Sequence, residues 1–305
     1  MFLKHITTVC LLAMICCGCA DGVDGPLLDV KSALPRMLPP VDARMPAPRG
    51  MTFGPAGELY ILDNAGRVIV YDSNRKITKT WFMPDHSIGK PEGICIFKDG
   101  RIAVADTHYH RVVFFDNDGK VVGKHGSQGK APGQFVYPVA LTQDPDGNYY
   151  VCEYGGGDRI QKFDVSGKLI KQFGGFGTAD GEFQRPSGIV WLDRKVYIAD
   201  AINNRIQVFS DSGEFLEILG ARDSMPALHY PYDLAKTPSG DLMTVEYGAG
   251  RITKLDLNGK VLARFGTTGT ESNQFTTPWG LAIDKLGNVF VADTGNRRFV
   301  ELELE

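Results

Sequence analysis

Six prolines recur along the chain, at Pro48, Pro91, Pro138, Pro186, Pro231 and Pro278, with spacings of 43, 47, 48, 45 and 47 residues. Each opens a unit with the same internal order. A short apolar run follows the proline, as in Gly93-Ile94-Cys95-Ile96 and Gly188-Ile189-Val190-Trp191, and then a turn such as Asp99-Gly100 or Ser239-Gly240-Asp241. A second apolar run ends in an acid: Asp63, Asp106, Glu153, Asp200, Glu246 or Asp293. Four to six residues later an arginine starts a third run: Arg67, Arg111, Arg159, Arg205, Arg251 or Arg298. In Arg205-Ile206-Gln207-Val208-Phe209 that run alternates with the period of two of a half-buried strand. Turns such as Asp118-Gly119 and Asn258-Gly259 lead to a fourth run, for example Lys168-Leu169-Ile170-Lys171-Gln172-Phe173.

Self-similarity at this period means a repeat architecture. A four-stranded sheet with two apolar faces cannot bury them alone, whereas sheets set side by side in a ring cover both faces of every neighbour. The expected fold is therefore all-β, a six-bladed β-propeller over residues 48–305. Glycine supports it: 36 of 305 residues, about 12% against roughly 7% in ordinary chains, matches many tight turns between short strands. The sixth unit stops after Phe299-Val300-Glu301-Leu302, its third strand. Its outer strand must come from elsewhere, and the apolar candidate upstream is Leu27-Leu28-Asp29-Val30-Lys31. Closure by an N-terminal strand is the prediction.

The pattern resembles the NHL repeat. The resemblance is carried by Phe183-Gln184-Arg185-Pro186-Ser187-Gly188-Ile189-Val190 and by Ile198-Ala199-Asp200-Ala201-Ile202-Asn203-Asn204-Arg205-Ile206-Gln207-Val208-Phe209. Linkers such as Phe173-Gly174-Gly175 through Gly181-Glu182-Phe183 match as well, and the Gly-His and Trp-Asp marks of WD40 blades are missing. The acid closing the second strand and the arginine opening the third lie across one loop, so their expected role is to stitch it by charge-assisted hydrogen bonds.

The N-terminus has a short basic head with Lys4 and His5, then an apolar run from Ile6 to Cys17. This is the pattern of a secretory signal over residues 1–18, too short to span a bilayer comfortably. Ile15-Cys16-Cys17-Gly18-Cys19-Ala20 resembles the lipobox of bacterial lipoproteins, with Gly18 before a lipidated Cys19; plain signal-peptidase cleavage is the alternative. Residues 19–47, with Pro26, Pro35, Pro39, Pro40 and Pro46, read as a semi-extended tether that also holds the possible closing strand. Cys95 and Cys152 sit in apolar strand patterns and read as buried free thiols, a disulfide between them being the other reading.

Candidate chemistry is sparse. Peptidyl-hydroxyglycine amidating lyases resemble NHL propellers and hold zinc with histidines, some directly after the blade-opening proline. Here those positions are Arg49, Glu92, Val139, Ser187, Tyr232 and Trp279, none a histidine. His108 and His110 share one loop and are weak metal candidates. No metal or other cofactor is expected, and no catalytic set is assigned.

If the ring is right, Arg49, Glu92, Tyr232 and Trp279 converge near one end of the central channel. Glu153-Tyr154-Gly155-Gly156-Gly157 and Glu246-Tyr247-Gly248-Ala249-Gly250 set the third and fifth units apart, adding Tyr154 and Tyr247. Flat aromatic area with a few orienting charges suits a peptide or a sugar. The formal net charge of −3, with Lys+Arg 33 against Asp+Glu 36, and the export signal argue against nucleic acid. The expected function is an exported, lipid-anchored binding module of the bacterial cell envelope for a protein, peptide or glycan. The alternative is an exported propeller enzyme, a metal-dependent lyase or hydrolase related to the amidating lyases.

Overall fold

The structure is a computed structural model that describes residues 25–87, 90–220 and 227–305. The expected signal segment and Cys19 lie outside the described residues. Six four-stranded antiparallel sheets form the blades. The first contains Pro48–Phe53, Leu59–Asp63, Arg67–Tyr71 and Ile77–Phe82, each hydrogen-bonded to the next, and the following four blades repeat that order. Second strands such as Leu59–Asp63 and Ile102–Asp106 are buried throughout, because both their faces meet a neighbouring blade.

The sixth blade departs from sequence order. Gly280–Ile283, Val289–Asp293 and Arg298–Leu304 are followed in space by Val30–Met37, which pairs antiparallel with the last strand from Val30↔Leu304 to Met37↔Arg298. The N-terminal segment therefore closes the ring, a few residues later than the apolar run at 27–31 suggests. Pro35 lies inside this strand opposite Val300, which is tolerated because an outermost strand needs hydrogen bonds on one side only. Leu27 bridges Arg264 on the outer strand of the fifth blade.

Residues 38–47 correct the expectation of a tether reaching to 47. Leu38 is buried in the interface between the sixth and first blades, and the Pro39 carbonyl accepts a hydrogen bond from Arg67. This part of the segment packs against the ring.

The core is divided into six clusters, one at each blade–blade interface. Between the second and third blades it holds Phe114, Phe135, Tyr149, Val151 and Phe163; between the fifth and sixth, Val245, Ile252, Phe275, Val291 and Val300. Phe135, Phe183 and Phe275 come from the linkers between blades and are fully buried. Cys95 and Cys152 are free thiols, and burial pushes both up, Cys95 to about 12.

Candidate functional site

In every blade the acid that ends the second strand takes the Nε–H of the arginine that opens the third. The distances are 2.8 Å for Asp63–Arg67, 2.8 Å for Asp106–Arg111, 2.6 Å for Glu153–Arg159, 2.8 Å for Asp200–Arg205, 2.8 Å for Glu246–Arg251 and 2.7 Å for Asp293–Arg298. The arginines also donate to linker carbonyls, as Arg205 does to Ala179 and Glu182 and Arg298 to Glu271 and Gln274. Each stitch thus joins two strands of one blade to the linker arriving from the blade before it. Burial raises the carboxyl pKa of Asp63, Asp106, Asp200 and Asp293 even against the arginine. The pair fixes geometry more than it adds stability.

These stitches hold the upper face, where first strands begin and second strands end. The six first strands line a central cavity of about 290 Å³. Its wall includes Arg49, Glu92, Val139, Ser187, Tyr232 and Trp279, the residues that follow the six prolines. The spacing argument therefore holds: one repeat position becomes one rim.

The rim is charged and aromatic. Arg49 Nη1 lies 3.2 Å from Glu92 Oε1, and its guanidinium sits 4.1 Å from the Trp279 ring centroid. The Tyr232 hydroxyl donates to Glu92 Oε2 at 3.2 Å and accepts from Arg185 Nη2 at 2.6 Å. Arg185 also covers the Tyr154 ring at 4.4 Å. Tyr232 packs 4.7 Å from Trp279 and 5.8 Å from Tyr247, and Tyr230 lies 5.3 Å from Tyr247. Tyr154 stacks obliquely on Tyr137 at 5.2 Å. Burial opposes the charge on Arg185, but Tyr232 and Glu92 outweigh it and its pKa rises. Burial holds the Tyr232 phenol well above its usual range, so it remains a neutral donor.

All six expected site residues fall in this cluster, in two roles. Arg49, Trp279, Tyr154 and Tyr247 are half-buried and reach the rim surface. Tyr232 and Glu92 are only 3% and 6% exposed, which corrects the expectation that they face a ligand directly; they brace the arginines from beneath.

Two residues of the site escape the sequence argument. Arg185 precedes Pro186 and reaches the rim because its backbone is left-handed, with φ 63°, a conformation costly for a residue with a Cβ. Asp233 carried a visible signal. The second residue after the proline is Gly50, Gly93, Ala140, Gly188 and Gly280 in five units and Asp233 in the other. A Cβ on Gly93 would lie 2.3 Å from the Val139 carbonyl, so the first strands approach too closely there for side chains. Asp233 has room because its carboxylate sits beside Gly280, 3.5 Å from where a Cβ would be. It accepts from the backbone N–H groups of Leu281 and Leu234, yet burial pushes its pKa up to about 7.

The histidine pair is engaged elsewhere. His108 Nδ1 faces the Lys90 backbone, His110 Nδ1 bonds the Val136 carbonyl, and both rings flank Tyr137. Among the described residues no group of three His, Cys, Asp or Glu side chains is arranged to hold a metal ion.

Comparison with known proteins agrees with this architecture. The NHL-repeat family model matches residues 89–115 and 275–300, in the second and sixth blades. NHL repeat-containing protein 3 of Mus musculus is 26% identical over 257 residues, covering 77% of this chain and 72% of that protein. The human protein of that name is 28% identical over 119 residues, 35% of this chain and 34% of its own length. Protein brain tumor of Drosophila melanogaster is 25% identical over 179 residues, which cover 58% of this chain but 12% of that much longer protein.

Among solved structures, virginiamycin B lyase from Staphylococcus aureus superposes with a TM-score of 0.64 at 17% identity, over 90% of this chain and 99% of that one. A gluconolactonase from Xanthomonas campestris gives 0.65 at 14% identity, over 93% and 99%. At such identities the likeness is one of fold. The chain is an all-β, six-bladed β-propeller in which NHL repeats are matched in the second and sixth blades.

Proposed function

We propose that the protein is an exported, membrane-tethered binding module whose upper face takes a protein or peptide partner at the channel mouth. The observation that supports this reading most is the composition of the rim. Two guanidiniums and a ring of partly exposed aromatics converge on one cavity, and the acid between them is already paired with Arg49 and Tyr232. Rigid aromatics with fixed polar groups are the usual make-up of a recognition surface. The leader and the cysteine at position 19 support export and lipid anchoring.

The test is capture from the native envelope with the lipidated protein, comparing wild type with the Arg49→Ala/Trp279→Ala double variant. Both side chains are half-buried and Arg49 pairs with buried Glu92, so a lower melting temperature is expected, while a double variant that remains folded should lose its specific partners. Retention of every partner by a folded double variant would overturn the reading.

A second reading has one observation in its favour. Asp233 is a channel acid whose pKa lies near neutrality, as a general acid or base requires, and two structural neighbours are named as a lyase and a gluconolactonase. An Asp233-dependent turnover of lactones or cyclic esters by the purified protein would favour it over the binding module.

A further inference from the structure

The hydrogen-bond arithmetic of the mouth is unbalanced. Its rim carboxylate, Glu92, is engaged by Arg49 at 3.2 Å and by the Tyr232 hydroxyl at 3.2 Å, with Arg185 at 3.8 Å. Four buried donors around the same cavity find no acceptor among the described residues: Arg49 Nε, Arg185 Nε, Ser187 Oγ and Trp279 Nε1. Ser187 is 6% exposed and lines the cavity with Arg49 and Trp279. An orphaned buried donor costs about 1–3 kcal/mol, more when charged, so a cluster of them selects for an acceptor. Two arginines face one glutamate at the rim, and Asp233, the further acid of the cavity wall, is pushed toward its neutral form by burial, so positive charge is in excess at the mouth. A planar anion with two acceptor oxygens fits such donors better than a neutral group does.

The space below narrows the choice further. Beneath the rim the cavity wall carries Met51, Ile94, Leu141, Ile189, Leu234 and Leu281, with Thr52, Thr142, Asp233 and Lys236 as polar members, and the Asp233 carboxylate is already engaged by the N–H groups of Leu281 and Leu234. Sugar hydroxyls pressed against the aliphatic part of the wall would lose water for few partners, whereas an apolar side chain would be favourably buried there. The volume of about 290 Å³ equals on the order of ten waters at ~30 Å³ each. That is room for the end of a chain.

We propose that the mouth captures the free C-terminal carboxylate of a peptide, between Arg49, Arg185 and Ser187, with the apolar side chain of its last residue directed into the channel. This deepens the binding reading above and rests on it. Trp279 stands beside the carboxylate as a further donor and reports its arrival. Tyr137, Tyr154 and Tyr247 flank the preceding residues of the peptide.

Calorimetric titration of the whole protein tests this, with Trp fluorescence followed in parallel. The probes are acetyl-Ala-Ala-Leu with a free carboxylate, the same tripeptide as its C-terminal amide, and glucuronic acid as a sugar carboxylate. Saturable binding of the acid form is expected, at least tenfold weaker for the amide and at least tenfold weaker in Arg49→Gln and in Arg185→Gln. Arg297→Gln, in the loop between the second and third strands of the sixth blade and away from the rim, should leave the affinity unchanged. Equal binding of acid and amide would overturn the carboxylate assignment while leaving a peptide-binding module in place. Tighter binding of glucuronic acid would overturn the peptide in favour of an acidic glycan. Failure of the acid form to saturate overturns the inference, and envelope capture then decides the binding reading separately. Should an arginine variant fail to fold, the acid–amide comparison on the wild type still decides.

Discussion

Asp200 illustrates how much one residue of the repeat carries. Fully buried, its carboxylate accepts from Arg205 Nε at 2.8 Å, Asn203 at 2.8 Å, Gln207 at 3.0 Å and the Gln184 backbone N–H at 2.8 Å. Asp200→Ala would strand a buried guanidinium, so a loss of about 3–5 kcal/mol is expected in chemical denaturation. A loss under 1 kcal/mol would mean that the stitch is dispensable. Asp233 behaves in the opposite sense. Its folded pKa near 7 stands above the ordinary 3.8, so the folded state holds this proton after the unfolded chain has released it. Its stabilising contribution is complete below pH ~4 and is lost as pH rises through about 7, at no more than ~1.4 kcal/mol per pH unit. Asp233→Ala, the residue type found at the equivalent Ala140, should gain stability relative to wild type between pH 5 and pH 8. Parallel pH profiles for the two proteins would show that the carboxyl titrates normally. Both residues were open to a reader of the sequence: the first as a member of a sixfold pattern of acids, the second as the single acid at a repeat position otherwise held by glycine or alanine.

At the scale of elements, the strand Val30–Met37 matters most because it has one partner. It pairs with Arg298–Leu304 alone, and Leu38, directly after it, is 1% exposed between the sixth and first blades. Arg75 in the first blade reinforces the same seam, with Nη2 2.6 Å from Glu301 and its guanidinium 4.5 Å from the Phe290 ring centroid. Leu38→Ala should cost about 2–5 kcal/mol. Hydrogen exchange should quicken first in Leu59–Asp63 and Val289–Asp293, the buried strands on either side of the seam. Uniform acceleration across all six blades would contradict a localised seam. The sequence indicated that a strand was missing from the last unit and where to look for it. It did not fix the register, because the proline-broken run 27–38 carries too little alternation to choose among offsets of a few residues.

For the whole molecule, closure distinguishes a ring from a stack. In an open array each repeat leans only on its neighbours and ends can fray, whereas a ring has no end from which to unfold. Wild type should therefore melt in one calorimetric transition despite having six separate interface clusters. A form lacking residues 1–38 should melt earlier and with a calorimetric enthalpy exceeding the van't Hoff value. A single sharp transition at the wild-type temperature would show that closure does not couple the blades.

Period and alternation, read along the chain, determined the strand order, the number of blades and the pairing of each acid with its arginine, since those contacts are repeated or span only a few residues. They also placed the six post-proline residues, one from each unit, on one rim. The tertiary structure alone decided what that rim does with its charges. Arg185 joins Tyr232 across 47 positions and Tyr232 joins Glu92 across 140, contacts that arise because rotation about the ring axis brings equivalent positions of different blades together. Burial, which separates the supporting Tyr232 and Glu92 from the half-buried Arg49 and Trp279, depends on how closely the first strands approach one another around the channel. That approach is set by glycine against the backbone of the next blade, as Gly93 packs against Val139, a contact between units distant in sequence.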